Sequence, residues 1–296
     1  MEALLVFAVT GAAAGVLAGL FGVGGGLIMV PALAFILPRQ GVGDAVVMQV
    51  AIGTSLAVIS ATSLSSMLAH HRRQGVLWPA FRLIAPGLAL GALAGALVAH
   101  LLPGLVLQRI VGVGAVLVSL QMFLDRAPAA TRSLPGAGGL FAAGSVIGLL
   151  SSLIGIGGGS LTVPFLSWRG VAMRQAVGTA AACGVPIAWA GAAGFMVAGL
   201  HVAGRPEFSV GYVSFSAFAG LAVASVLTAP LGARLAHRLP PRALKRAFAA
   251  LLLVIGVMLL LKNCKKRHLT AENAENAEKN KRYFVFLALR SLRSLR

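Results

Sequence analysis

The chain is a succession of apolar stretches, at about 3–37, 45–69, 80–102, 105–124, 138–168, 175–200, 209–236 and 243–261. Most approach or exceed the roughly 20 apolar residues that a helix needs to cross a bilayer. Backbone N–H and C=O groups find no water in lipid, so such segments must pair their polar groups internally, as helices. Charged residues make up 11% of the 296-residue chain and apolar residues 58%, whereas soluble domains carry about 25% charged side chains. The expected fold is an all-α polytopic membrane protein with eight to ten transmembrane helices.

Two of the stretches contain something a lipid-embedded helix should avoid. LFGVGGGLIMVP at 20–31 and LIGIGGGSLTVP at 153–164 each place four glycines in five positions, five residues ahead of a proline. Glycine inside a helix costs about 1 kcal/mol relative to alanine. Other segments recur in the same order: AIGT at 51–54 with AVGT at 176–179, and GALVAHLLPGLVLQR at 95–109 with GARLAHRLPPRALKR at 232–246. An internal duplication is expected, a common build for secondary transporters. It divides the chain into a first repeat (1–125), a connecting loop (126–136) and a second repeat (137–266). Residues 267–296, with AENAENAE and SLRSLR, form a low-complexity tail expected to be disordered.

The orientation of the repeats stays open at this level. If the first stretch of each half crosses once, the halves are parallel; if it crosses twice, they are inverted. The second alternative segregates the loop lysines and arginines better. Against it, Leu27–Leu37 spans about 16 Å as a helix, too short for a core of about 30 Å.

The glycines of the first motif are Gly22, Gly24, Gly25 and Gly26; those of the second are Gly155, Gly157, Gly158 and Gly159. A glycine run permits positive φ and close approach to the main chain. Unwound backbone is tolerated in a membrane where protein buries it or it lines a wet cavity. A helix resuming at Leu27 or Ser160 presents free N–H groups and a positive dipole end, which suits an anion. The competing explanation is close packing of helices through small residues. Thr54 and Ser55 in the first half, with Ser160 and Thr179 in the second, are candidates to complete a substrate site. Gln49, Ser60, Thr62, Arg174, Gln175 and Cys183 are further polar groups on the same segments, although serine and threonine hydroxyls commonly bond back to their own helix.

Several functions are excluded. No strand–turn–helix unit surrounds the glycines, as dinucleotide binding needs, and no Lys-Ser or Lys-Thr follows them, as a P-loop needs. The net charge of +18 comes partly from short basic connections such as His70–Arg73, which hold loops on the cytoplasmic side; no nucleic-acid partner is expected. Glu2, Asp44, Asp125, Glu207, Glu272, Glu275 and Glu278 are the acidic residues, and none sits mid-stretch, which argues against a carboxylate relay. No cofactor and no metal site is expected, and the histidines, His100 and His237 among them, lie near helix ends, where none serves as base for an intramembrane enzyme. The partners expected are a small anion and the lipid bilayer, with room for a homo-oligomer. A potential of 100 mV, negative inside, drives expulsion by about 2.3 kcal/mol per charge.

At GLFGVGGGLIMVPAL, AIGTSLA, GIGGGSLTVPFL with RQAVGTA, and the repeated Ala-His-Leu-Pro block, the sequence resembles the sulfite exporter TauE/SafE family. The resemblance covers about residues 5–262. It implies a bacterial inner-membrane permease for sulfur-containing or organic anions such as sulfite or sulfoacetate. The second half reads Gly178-Thr179-Ala180-Ala181 where the family has Gly-Thr-Ser-Leu. A non-transporting accessory membrane subunit is the alternative function.

Overall fold

A computed structural model describes residues 2–21, 25–124, 133–236 and 246–261. Gly22, Gly24, most of the 126–136 connection, His237 and the 267–296 tail lie outside the described residues.

The helices are α1 (Glu2–Phe21), α2 (Gly26–Ile36), α3 (Val47–Arg72), α4 (Trp78–Leu101), α5 (Gly104–Leu124), α6 (Ala137–Ile154), α7 (Gly159–Trp168), α8 (Met173–Ala198), α9 (Phe215–Ala236) and α10 (Arg246–Leu261). Among the described residues, α3, α4, α5, α6 and α8 are long and apolar enough to cross a membrane. The long run 138–168 is two elements, with α6 stopping at Ile154 and α7 starting at Gly159. One element departs from the all-α expectation. A two-residue ribbon, β1 (Ser209–Val210) with β2 (Val213–Ser214), precedes α9.

Small residues decide the packing. Gly87, Gly91 and Gly95 of α4 meet the backbones of Phe141, Ser145 and Leu149 of α6, while Gly144 and Gly148 of α6 meet Ile84 and Leu88. A Cβ at any of these positions would collide with a facing main-chain atom. The numbering rises together on both helices, so α4 and α6 run parallel. Close backbone approach through small residues is how membrane helices gain contact without a hydrophobic driving force. In the same way Gly11 and Gly15 of α1 lie on Leu221 and Ser225 of α9. Ser225 Oγ donates to the Gly11 carbonyl at 3.0 Å and Thr228 Oγ1 to that of Ala12 at 3.0 Å.

The centre is α3 against α8. Gly53 faces Phe195, Leu56 faces Gly191 and Ser63 faces Gly184, so these helices run antiparallel. From Val47 to Ile59 every residue of α3 is buried, polar ones included. Antiparallel α5 and α10 pack nearby: Gly112 meets Gly256, and Ser119 Oγ donates to the Ala249 carbonyl at 2.7 Å.

Candidate functional site

The second glycine motif is a formed break between two helices. Gly155 sits at φ 74°, in the left-handed region, and ends α6. Its N–H donates to Ser152 O at 3.3 Å and the Ile156 N–H to Ser151 O at 2.9 Å, the two bonds of a Schellman ending. The helix α7 then starts from Gly158 without a side-chain cap. Its first tertiary-independent bond is Thr162 N–H to the Gly158 carbonyl at 3.0 Å. The N–H groups of Gly157, Gly158, Gly159, Ser160 and Leu161 find no acceptor among the described residues. Gly157 and Gly158 are buried. Consecutive free donors at a positive helix end form an anion-binding geometry.

The first motif breaks too, at Gly25, where φ is 75°. Its carbonyl accepts from Ile28 and Met29, each at 3.1 Å, as α2 begins. The two breaks touch. The Cβ position of Gly26 falls on the Gly155 carbonyl, and Gly155 in turn faces Val30 and Ile52. Ser55 Oγ donates to the same Gly155 carbonyl at 3.3 Å, which ties α3 to the second break. Of the candidates in the sequence, the structure therefore brings Gly25, Gly26, Ser55, Gly155, Gly157, Gly158, Gly159 and Ser160 into the two breaks and their seam.

Thr54 and Thr179 sit elsewhere. Both are fully buried, and each hydroxyl oxygen accepts a main-chain N–H. Thr54 Oγ1 accepts the Ser214 N–H at 3.1 Å, just ahead of α9, and Thr179 Oγ1 accepts the Leu77 N–H at 2.9 Å, just ahead of α4. The preceding glycines make room: Gly53 faces the Tyr212 carbonyl and Gly178 the backbone of Gly75.

Several of the other polar candidates bond to main chain, although Gln49 Oε1 is buried without a partner among the described residues. Gln49 Nε2 donates to Leu102 O at 3.0 Å, and Arg174 Nη2 to Arg73 O at 2.8 Å. Ser60 and Thr62 bond back to their own helix. His100 Nδ1 lies 2.9 Å from Tyr212 Oη. Cys183 is buried behind Gly158, and Gln175 is exposed.

Three residues that the sequence reading passed over stand out beside Ser160. Ser151, Ser152 and Thr162 are 0% exposed, and like Ser160 their hydroxyl oxygens have no hydrogen-bond partner. An unpaired buried hydroxyl costs about 1–3 kcal/mol. A comparison of the two glycine motifs position by position would have found them. A recess of about 260 Å³ between α3, α8 and α9 is lined by Ala57, Trp189, Met196, Phe215 and Phe218 among others. It is apolar and offers an anion almost no donors.

Comparison with known proteins places the chain in a family. Residues 7–259 match the family described as "Sulfite exporter TauE/SafE". A Haemophilus influenzae protein described as "Probable membrane transporter protein" is 36% identical over 261 residues, covering 88% of this chain and 98% of its own. A Methanocaldococcus jannaschii protein with a similar description is 26% identical over 263 residues, covering 86% and 94%. One from Bacillus subtilis is 24% identical over 255 residues, covering 83% and 96%. No solved structure matches. With its long apolar helices and a match over nearly its whole helical length, this chain is a multi-pass membrane protein that belongs to the sulfite exporter TauE/SafE family of membrane transporters.

Proposed function

We propose that the protein is a permease of the bacterial inner membrane that moves small sulfur-containing anions, oxyanions or organosulfonates, outward under the membrane potential. The observation that carries this reading is the break at Gly155–Gly158. It leaves the N–H groups of Gly157 to Leu161 without an acceptor among the described residues, at the positive end of α7 and next to the contact that Gly155 and Ile156 make with Gly26. Broken helices whose N-termini meet anionic groups near the membrane midplane are a recurrent transport device.

In this reading α1–α5 and α6–α10 are two repeats of opposite orientation. Support comes from the packing, because exchanging the halves turns α1 on α9 into α6 on α4 and leaves α3 on α8 and α5 on α10 as pairs. Both of those self-pairs are antiparallel, as inversion requires. The short arms α2 and α7 return from the breaks to the end at which their hairpins began. Arg72, Arg73, Arg82, Arg169 and Arg174 lie at the end shared by the C-terminus of α3 and the starts of α4 and α8. By the positive-inside rule that end faces the cytoplasm. Exposed apolar side chains such as Leu90, Leu97, Leu117, Trp189 and Leu227 suit contact with lipid.

The test is flux in proteoliposomes with an imposed potential, using sulfite, sulfate, thiosulfate, sulfoacetate and acetate. Flux of a sulfur anion that rises with the potential supports the proposal. Absence of flux for every anion, with the protein folded, favours the accessory-subunit function instead. Gly158→Asp is a poor probe of charge, because the Cβ position of Gly158 lies 2.8 Å from the Gly184 nitrogen and any side chain there disturbs packing.

A further inference from the structure

Aligned on their glycines, residues 17–31 read LAGLFGVGGGLIMVP and residues 150–164 read LSSLIGIGGGSLTVP. Where the first motif has Ala18, Gly19, Leu27 and Met29, the second has Ser151, Ser152, Ser160 and Thr162. Every other difference exchanges one apolar residue for another. The four hydroxyls so introduced are the buried hydroxyls that lack a partner among the described residues. Buried polar groups are paired in the great majority of cases, and exceptions call for a physical reason. Packing supplies none here, since Leu27 and Met29 occupy the matching positions of the first motif as parts of the apolar core.

We infer that a small oxyanion is seated at the second break alone, held by the hydroxyls of Ser160 and Thr162 and by the N–H groups of Gly157 to Leu161. This inference rests on the anion-permease reading above and divides its labour between the motifs: the second binds, the first packs. Ser160 and Thr162 stand in the opening turns of α7, and helical side chains lean toward the N-terminus of their helix, the end at which the break lies; two residues apart, they flank the helix end from different sides. Ser151 and Ser152 line the last turn of α6, with Ser152 Oγ 3.3 Å from the Cβ position of Gly191 on α8. No Lys, Arg, Asp or Glu occurs between residues 150 and 164. This segment therefore contributes hydrogen-bond donors without a side-chain charge of its own. It fits an anion whose three or four oxygens all accept, such as sulfite, sulfate or a sulfonate head group, better than a carboxylate with two.

The test compares wild type, Ser160→Ala/Thr162→Val and Leu27→Ala/Met29→Ala in proteoliposomes, reading the half-saturating concentration of sulfite and sulfate together with the thermal midpoint of each protein. The hydroxyl pair is expected to raise the half-saturating concentration at least tenfold while its midpoint stays level or rises, because an unpaired buried hydroxyl has been removed. Ser160→Ala with Thr162→Ser is expected to recover part of the affinity. The first-motif pair is expected to lower the midpoint and keep half-saturation within about twofold. If the hydroxyl pair transports as wild type does, or loses transport only in step with a lost midpoint, the seat is overturned and the permease reading stands. If wild type carries none of these anions, the permease reading fails and the seat fails with it.

Discussion

Thr54 in α3 accepts the N–H of Ser214 at 3.1 Å, and this bond attaches the start of α9 to the core of the other half of the chain. Its counterpart is Thr179 in α8, which accepts the N–H of Leu77 at 2.9 Å and attaches the start of α4. The repeated Gly-Thr dipeptide thus has one structural task in both places. The glycine admits the incoming backbone, and the threonine satisfies an N–H that no helical carbonyl can reach.

Removing either acceptor leaves a buried N–H unpaired. Thr54→Val and Thr179→Val are each expected to destabilise by about 1–3 kcal/mol, while Thr→Ser at either position costs much less. Thermal unfolding in detergent checks this. Valine variants as stable as wild type would show that the bonds contribute nothing.

The glycines beside them should respond unequally. The Cβ of Gly178→Ala would land on the Gly75 carbonyl group, whereas that of Gly53→Ala would lie 2.8 Å from the Tyr212 carbonyl oxygen and 3.0 Å from Phe195 Cβ. Both overpack, at a typical cost of about 1–3 kcal/mol, with Gly178→Ala expected to be the worse. Yields and midpoints of the two single variants decide the order.

Gly155→Ala combines two penalties. The left-handed backbone at φ 74° disfavours any Cβ by about 1–2 kcal/mol, and the new methyl would meet Val30 Cγ2 at 2.5 Å. Adding Val30→Ala should relieve the steric part and leave the backbone part. Val30 is fully buried and its truncation has a cavity cost of its own, so the double variant is compared with Val30→Ala alone; a Gly155→Ala cost unchanged in that background would place the whole of it in the backbone.

Tyr212 lies in the ribbon ahead of α9, where burial pushes its phenol above the ordinary value of 10.0 and Arg205 partly opposes the shift. The folded state therefore holds this proton more firmly than the unfolded chain. That contribution is fully present below about pH 10 and is lost as pH rises through the raised folded value. The midpoint is expected to fall over that alkaline range in wild type. In Tyr212→Phe this component should be absent, together with the hydrogen bond to His100. Identical alkaline profiles would remove the phenol from the account.

Much of this was decided by composition and order alone. Long apolar runs can satisfy their backbone only as helices, so the class of fold followed directly, and the two GxGGG motifs marked where those helices stop. At Gly155 the helix stops, and at Gly25 the next one starts, with the residue at positive φ, a conformation that glycine reaches without the Cβ clash other residues meet. The sequence also pointed to Thr54 and Thr179 as special, and the structure adds that each accepts a distant backbone N–H. A hydroxyl's partner here lies 160 residues away for Thr54 and 102 for Thr179, and no local pattern encodes that distance. The ribbon before α9 was likewise illegible, because two residues per strand carry no alternation to read. Only the tertiary structure brought Gly26 against Gly155 and placed Ser55 on the same carbonyl. Only the structure distinguished Ser151, Ser152, Ser160 and Thr162, whose hydroxyl oxygens have no partner among the described residues, from Ser60 and Thr62, which bond back to their own helix. The residue types are the same, and what separates them is whether the surrounding fold offers each hydroxyl a partner.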